Sequence, residues 1–266
     1  LKQHYIEPFE KNPDKPEVLH PSLVYNAMIH PLTHLSVKGF VWFQGISNAG
    51  DGTRYFDVGS TLIRSWRHEF GYSSMPFYFA QSAPYNWKKE KLHHDRFAFT
   101  RMGQARLLSL PNTAMAVTLD VGSPTEVHPR SKKPVGERLA RVALAKSYGR
   151  EDIVHQEPHF KKMEVKGDTA VISFDTHSRD PQLTTSDGET AREFLIAADD
   201  RVFYSAKATI RGNKVLVYSS HVNKPMAVRY AFINCPMTNL CNREGLPARQ
   251  FRTDTWKKGV SIVITE

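Results

Sequence analysis

The chain has 266 residues, of which 40% are hydrophobic and 24% are charged. These proportions indicate a soluble globular protein of one large domain or two ordinary ones, with enough length for a substantial core. No apolar run approaches the roughly 20 residues of a membrane-spanning helix, so the sequence predicts no membrane segment.

The formal net charge of +9 raises the question of nucleic-acid binding. The basic residues are dispersed, however, and no group of them alternates with aromatic residues as in known RNA- or DNA-binding modules. We therefore predict no nucleic-acid partner and interpret the positive charge as solvated surface suited to attracting an acidic sugar. The densest basic groups are Lys88, Lys89 and Lys91; Arg130, Lys132 and Lys133; and Lys257 and Lys258.

Strands and helices alternate in the first half of the chain. In residues 21–38 the apolar residues recur at the spacing of a helix. Beyond them, short apolar runs predict buried parallel strands at residues 40–43, 76–80 and 114–119. Amphipathic patterns predict three further helices, at Tyr55–Phe70, His93–Leu110 and Lys133–Tyr148. This alternation predicts an α/β domain over residues 1–150, with a mostly parallel sheet covered by helices.

The pattern changes beyond about residue 155, where short runs with a period of two are separated by turn-forming dipeptides such as Gly167-Asp168 and Gly212-Asn213. This pattern predicts a β-sandwich-like module over residues 151–266. The two cysteines in this module, Cys235 and Cys241, are too few for a metal site on their own. A loop disulfide and two free thiols remain open as equal alternatives.

The loop that follows the third predicted strand holds the strongest catalytic candidates. It carries Asp120, Glu126 and His128, and an amphipathic helix follows it directly. Catalytic side chains are often displayed after the carboxyl end of a strand, and a nearby carboxylate can orient a histidine as a general base. The alternative for a single histidine is an ordinary surface or core residue.

The loop after the first strand offers a second group of candidates. Gly45 allows close backbone approach, and the Asn48 amide is a suitable donor for an oxyanion, although Asn48 taken alone is better explained as a turn former. Ser47 is not favoured as a nucleophile, because the second glycine comes one residue too late for a G-x-S-x-G elbow. Gln81 follows the second strand and could line a pocket, whereas His93 and His94 are best explained as solvated residues.

Two blocks of the chain closely resemble one family. Residues 42–49, W-F-Q-G-I-S-N-A, are similar to the W-Y-Q-G-E-S-N-A block of the sialate O-acetylesterases. Residues 120–140 are similar to their D-x-G…H-P-x-x-K-x-x-V-G-x-R-L-A block. This family consists of carbohydrate esterases of the SGNH-hydrolase class, and the resemblance extends over nearly the whole chain.

The resemblance implies a three-layer, flavodoxin-like α/β fold and a serine esterase that needs no metal or other cofactor. His128 would be the base, assisted by Glu126 or Asp120 or by a backbone carbonyl, and we favour Glu126. Asn48 would donate to the oxyanion, while Gln44, Gly45 and Gln81 would contact the substrate.

The chain departs from the family pattern in three places. The G-Q-S-N block that carries the nucleophile is absent, so we expect the chain to be the C-terminal portion of an esterase whose serine lies in a preceding segment or a companion chain. Ile46 replaces the usual glutamate, and Thr125 stands where the class places an aspartate.

The implied substrate is O-acetylated sialic acid, with the 9-O-acetyl form favoured, and the implied location is secreted, periplasmic or lysosomal. Two alternatives remain: an esterase for other acetylated sugars such as acetyl-xylan, and a non-catalytic carbohydrate-binding protein.

Overall fold

A parallel sheet of three strands forms the centre of the first half of the chain. The computed structural model describes residues 24–44, 46–86, 95–256 and 260–263. The strands are β1 (Phe40–Trp42), β2 (Phe77–Ala80) and β3 (Thr113–Ala116), hydrogen-bonded in that order. Strands β1 and β2 lie within the predicted apolar runs, whereas β3 begins one residue before its run and ends at Ala116, three residues before the predicted end.

Three α-helices accompany this sheet: α1 (Tyr55–Glu69), α2 (Arg96–Arg106) and α3 (Lys133–Ser147). Each lies within a predicted helix, and the second prediction ends in a 3-10 turn, Leu107–Ser109, instead of continuing as α-helix. His93 and His94, at the start of that prediction, lie outside the described residues. Of the helical spacing predicted for residues 21–38, the described part, from residue 24 onward, forms a π-helical turn, Tyr25–Ile29, followed by a 3-10 turn, His30–Leu32.

The helices cover both faces of the sheet. Phe77 and Phe79 of β2 belong to one apolar cluster with Ile63 of α1, whereas Tyr78 of the same strand belongs to another cluster with Val135 of α3. Because consecutive strand residues point to opposite faces, this division places the sheet between two helical layers. The predicted three-layer α/β architecture is confirmed.

The second half of the chain is rich in β-strands. In chain order these are β4 (His159–Lys166), β5 (Thr169–Asp175), β6 (Leu183–Thr185), β7 (Phe194–Ala197), β8 (Val202–Ser205), β9 (Lys207–Arg211), β10 (Lys214–Tyr218), β11 (Ala227–Tyr230), β12 (Leu240–Asn242), β13 (Phe251–Arg252) and β14 (Ser261–Val263). A four-stranded antiparallel sheet has the order β4-β5-β10-β9, and a five-stranded sheet has the order β13-β11-β7-β8-β14. Strands β12 and β6 form a separate pair.

The two larger sheets share one apolar core. Ile172 of β5 and Val215 of β10 lie in the same buried cluster as Ile196 of β7 and Val228 of β11. Hairpin turns join β4 to β5 and β9 to β10, and Gly167 and Gly212 occupy these turns with φ of +63° and +61°. The predicted β-sandwich-like module is confirmed.

A fully buried arginine joins α2 to the β-rich half. The Arg101 guanidinium donates to the Gln250 side chain at 2.6 Å and to the carbonyl oxygens of Asn234, at 3.1 Å, and Ile233. Gln250 in turn donates to the carbonyl oxygen of Ala98 at 2.6 Å. Burial lowers the pKa of Arg101 to about 9. These contacts satisfy a group that would be costly to bury without partners.

A second buried charge cluster lies within the β-rich half. The carboxylate of Asp254, whose side chain has no exposed surface, accepts two hydrogen bonds from Arg229, at 2.9 and 3.0 Å. Arg252 also binds this carboxylate. Burial by itself would raise the pKa of Asp254, but its bonds to the two arginines outweigh burial and hold the pKa below its usual value.

Both cysteines are free thiols buried in the fold, which decides between the two alternatives left by the sequence. Burial raises the pKa of the Cys241 thiol to about 11, so this sulfur is protonated near neutral pH.

Among the described residues, no helix has the length and apolar character needed to cross a membrane.

Replacing Arg101 with alanine should destabilise the protein by about 3–5 kcal/mol, because several buried acceptors would lose their donor at once. Chemical denaturation followed by circular dichroism measures this loss. The matched control is Arg64→Ala on the exposed side of α1, which should change stability by less than about 0.5 kcal/mol. Equal stability of the two variants would show that Arg101 does not hold the halves together.

Candidate active site

An open cleft of about 260 Å³ lies at the carboxyl ends of the three parallel strands. The loop after each strand contributes to its wall, since Gln44 follows β1, Ser82 follows β2 and His128 follows β3. This is the edge at which open α/β sheets bind their ligands. The lining residues are Phe43, Gln44, Ser82, Ala83, Val127, His128, Pro129 and Lys132.

His128 is exposed on this cleft, next to the buried ring of Pro129. Within the described part of the chain, its imidazole makes no hydrogen bond or ion pair. The ring is therefore accessible to a hydroxyl group that enters the cleft, as a general base requires.

The two carboxylates predicted as partners of His128 are engaged elsewhere. Asp120 forms a two-pronged ion pair with Arg138 of α3, with N–O distances of 2.7 and 2.5 Å. Arg138 also donates to the carbonyl oxygen of Val117 at 2.8 Å, so the pair ties α3 to the segment after β3. Glu126 pairs with the exposed Arg130 at 3.2 Å.

The loops after β2 and β3 are packed directly together. The Ser123 N–H donates to the carbonyl oxygen of Pro84 at 3.1 Å. A Cβ atom at Gly122 would lie 2.3 Å from that same oxygen, so only glycine allows this approach. The glycine of the D-x-G block thus brings two walls of the cleft into contact.

Helix α2 is hydrogen-bonded to the loop after β2. The Ser82 N–H donates to the Gln104 side-chain oxygen at 2.8 Å, and Gln104 is almost fully buried. Gln81 is also fully buried, and both polar atoms of its side-chain amide lack a hydrogen-bond partner among the described residues. Its backbone is fixed through Thr118, whose hydroxyl donates to the Gln81 carbonyl oxygen at 2.8 Å.

Asn48 belongs to a chain of side-chain hydrogen bonds that reaches the cleft. Gln44 donates to the Asn48 side-chain oxygen and accepts a bond from the Tyr55 hydroxyl at 2.7 Å. Burial raises the pKa of Tyr55, which keeps this hydroxyl a donor. Asn48 donates one amide hydrogen to Asp51 at 2.8 Å, and its second amide hydrogen is available for another acceptor.

The other residues of interest in the loop after β1 are Gly45, Ile46 and Ser47. Gly45 lies outside the described residues, and the same holds for the side chain of Ile46. Ser47 is exposed in the stretch of 3-10 helix, Ile46–Arg54, that follows β1.

Lys132 is a cleft residue that the sequence analysis did not single out as a site residue. Its ammonium group lies over the Phe43 ring, 4.9 Å from the ring centroid, and both residues line the cleft. The neighbouring charge of Lys133 is paired with Glu137 at 3.7 Å. In the sequence, Lys132 was noticed only as a member of the basic group that also contains Arg130 and Lys133.

Comparisons with known proteins support the resemblance seen in the sequence. The mouse sialate O-acetylesterase is 30% identical over 237 residues, which cover 81% of this chain and 43% of that protein. The human sialate O-acetylesterase is 29% identical over 236 residues, covering 81% of this chain and 44% of that protein.

A solved structure shares the fold. The crystal structure of a carbohydrate acetylesterase from Xanthomonas citri matches with a TM-score of 0.82 and 40% identity, covering 89% of this chain and 55% of that one. The resemblance to the sialate O-acetylesterase family is confirmed. The chain spans less than half the length of the curated relatives named above, and no model of a protein family matches it.

Replacing Asp120 with alanine should lower stability by about 2–3 kcal/mol, because it leaves the buried Arg138 guanidinium without its carboxylate. Thermal unfolding measures this effect. Glu126→Ala is the matched control on the same loop, and losing its exposed pair should cost less than about 1 kcal/mol. A stable Asp120→Ala variant would contradict a structural role for the pair.

Proposed function

We propose that this chain is part of a serine-type carbohydrate esterase that removes O-acetyl groups from sialic acids, with the 9-O-acetyl ester as the favoured substrate. One observation carries the proposal. In a chain that resembles the sialate O-acetylesterases, the loops after three parallel strands converge on a single cleft that holds His128 and Gln44.

In the proposed reaction, a serine hydroxyl attacks the acetyl carbonyl while His128 accepts the hydroxyl proton. The tetrahedral intermediate expels the sugar oxygen, which takes that proton from His128, and the acetyl group stays on the serine. His128 then takes a proton from water as the water oxygen attacks the acetyl carbonyl. It returns this proton to the serine oxygen as acetic acid leaves, which restores the serine. Glu126 is the proposed partner of His128. To orient the imidazole, its carboxylate would have to leave its ion pair with Arg130 and bind His128 instead.

Asn48 is the proposed oxyanion donor. Asp51 holds one of its amide hydrogens and Gln44 holds its oxygen, so the amide plane is fixed while one hydrogen remains available. A fixed donor costs no reorganisation when the negative charge develops, and one such donor contributes about 3–4 kcal/mol in comparable sites. Gln44, Gly45 and Gln81 are the proposed substrate contacts; Gln44 lines the cleft, whereas Gln81 is fully buried and would have to become exposed to reach the substrate.

The serine is proposed to come from outside these 266 residues, because the chain has no G-Q-S-N block. Among the described residues, β1 is an edge strand of the sheet; Val41 within it and Phe43 directly after it are 63% and 44% exposed. A further parallel strand at this edge would end beside the same cleft.

We propose a secreted, periplasmic or lysosomal location by analogy with the family.

A second candidate is an esterase for neutral acetylated sugars such as acetyl-xylan. The Xanthomonas citri protein is named only as a carbohydrate acetylesterase, which fits either substrate class. The ammonium group of Lys132 favours sialic acid, because this sugar carries a carboxylate and neutral sugars do not. A non-catalytic carbohydrate-binding protein is the third alternative, and a lack of ester hydrolysis would support it.

Replacing His128 with alanine in the complete esterase should lower kcat for an acetyl ester at least 10³-fold, because the proton acceptor is lost. Hydrolysis is followed by acetate release. His68→Ala, at an exposed position on α1, is the control and should retain full activity. Near-normal turnover by His128→Ala would show that another group is the base.

Replacing Lys132 with glutamine should raise KM for acetylated sialic acid about tenfold, because a charge-assisted hydrogen bond to the sugar carboxylate is lost. For a neutral acetylated sugar, KM should change less than about twofold. Lys133→Gln, which removes a charge already paired with Glu137, is the matched control. Equal effects of Lys132→Gln on both substrates would contradict recognition of an acidic sugar.

A further inference from the structure

A cluster of metal-ligating side chains lies in the β-rich half, among residues that the proposed esterase reaction does not use. His159 begins β4, and its register partner Asp175 ends the neighbouring strand β5. His177 follows Asp175 by two residues. One ligand atom from each of the three side chains can be chosen so that all lie within 4.8 Å of one another.

The two imidazoles are close enough for one nitrogen of each to bind the same ion. His177 Nε2 and His159 Nδ1 are 3.2 Å apart, and the ring planes are inclined by 23°. Zinc binds imidazole nitrogens at about 2.0–2.1 Å, so two nitrogens on one tetrahedral ion are separated by about 3.3 Å. The observed distance therefore needs little adjustment to admit an ion.

The backbone of His177 brings its ring back beside Asp175. Its φ is +49°, in the left-handed region where histidine, like asparagine and aspartate, is enriched among residues other than glycine. The His177 N–H donates to Asp175 Oδ1 at 3.3 Å, which fixes the carboxylate beside the rings. The same oxygen lies 3.7 Å from Nδ1 of the His177 ring.

The charges around the cluster favour a cation. The carboxylate of Asp175 offers negatively charged oxygens, and each imidazole offers a nitrogen lone pair when neutral. The nearby guanidinium of Arg249 is paired with Glu157 at 2.8 Å, which offsets part of its positive charge. The side chains of His177 and Asp175 are 31% and 43% exposed, so a cation and its water ligands can enter.

We propose that His159, Asp175 and His177 bind a divalent transition-metal cation of the zinc class, with solvent completing the coordination. Imidazole ligands select this class over magnesium or calcium, which prefer oxygen ligands. The bound cation would join the first residue of β4 to the end of β5 and to the segment that follows. Its role is therefore structural, separate from the cleft that holds His128.

The test is calorimetric titration of the chelator-treated protein with Zn²⁺ alone. We expect one Zn²⁺ per cluster, with the affinity lowered at least tenfold in both His159→Gln and His177→Asn. Asparagine is chosen at position 177 because it tolerates a positive φ. His68→Gln removes an exposed histidine outside the cluster and should leave this affinity unchanged.

Zn²⁺ at saturating concentration should also raise Tm by several degrees in the parent protein and not in the two cluster variants, because an ion that binds only the folded state stabilises it. Circular dichroism in the presence of chelator checks that each variant folds. If His159→Gln does not fold, His177→Asn and Asp175→Asn decide the outcome. Absence of Zn²⁺ binding to the parent, or unchanged affinity in the folded variants, would show that the two histidines form only a hydrogen bond.

Discussion

The parallel pairing of β1, β2 and β3 is the constraint on which the candidate site depends. Because the three strands run in the same direction and pair in sequence order, their carboxyl ends lie at one edge of the sheet. Gln44, Ser82 and His128 are far apart in the chain, yet this geometry places them around one cleft. A one-residue shift in register would exchange the two faces of a strand and misplace the loop that follows it.

The β-rich half supports this cleft through helix α2. Arg101 binds that half, and Gln104, one turn of the helix later, accepts a hydrogen bond from the backbone of Ser82 in the cleft wall. The same helix therefore contacts both the sandwich and the site. This arrangement gives a physical reason for the two parts to occur in one chain, since separating them would remove the support beneath the loop after β2.

Much of the fold was predictable because apolar periodicity depends on local burial. The runs at β2 and β3 are buried at every position, and the turn glycines Gly167 and Gly212 marked the hairpins. The edge of the sheet that carries the cleft was also predictable. The side-chain partners were not, because they depend on how helices pack: Asp120 pairs with Arg138, and Tyr55 binds Gln44. The histidine cluster likewise requires the β4–β5 register, which residue spacing alone does not give.

The Asp254 cluster determines how the β-rich half responds to acid. Since the arginines hold the folded-state pKa below the unfolded value near 4, the carboxylate stabilises the fold at every pH above that value. This contribution is lost only as the pH falls through the lowered folded-state pKa. At about pH 5, the connection between β11 and the segment after β13 therefore remains fully charged. Mild acidification would leave this connection intact.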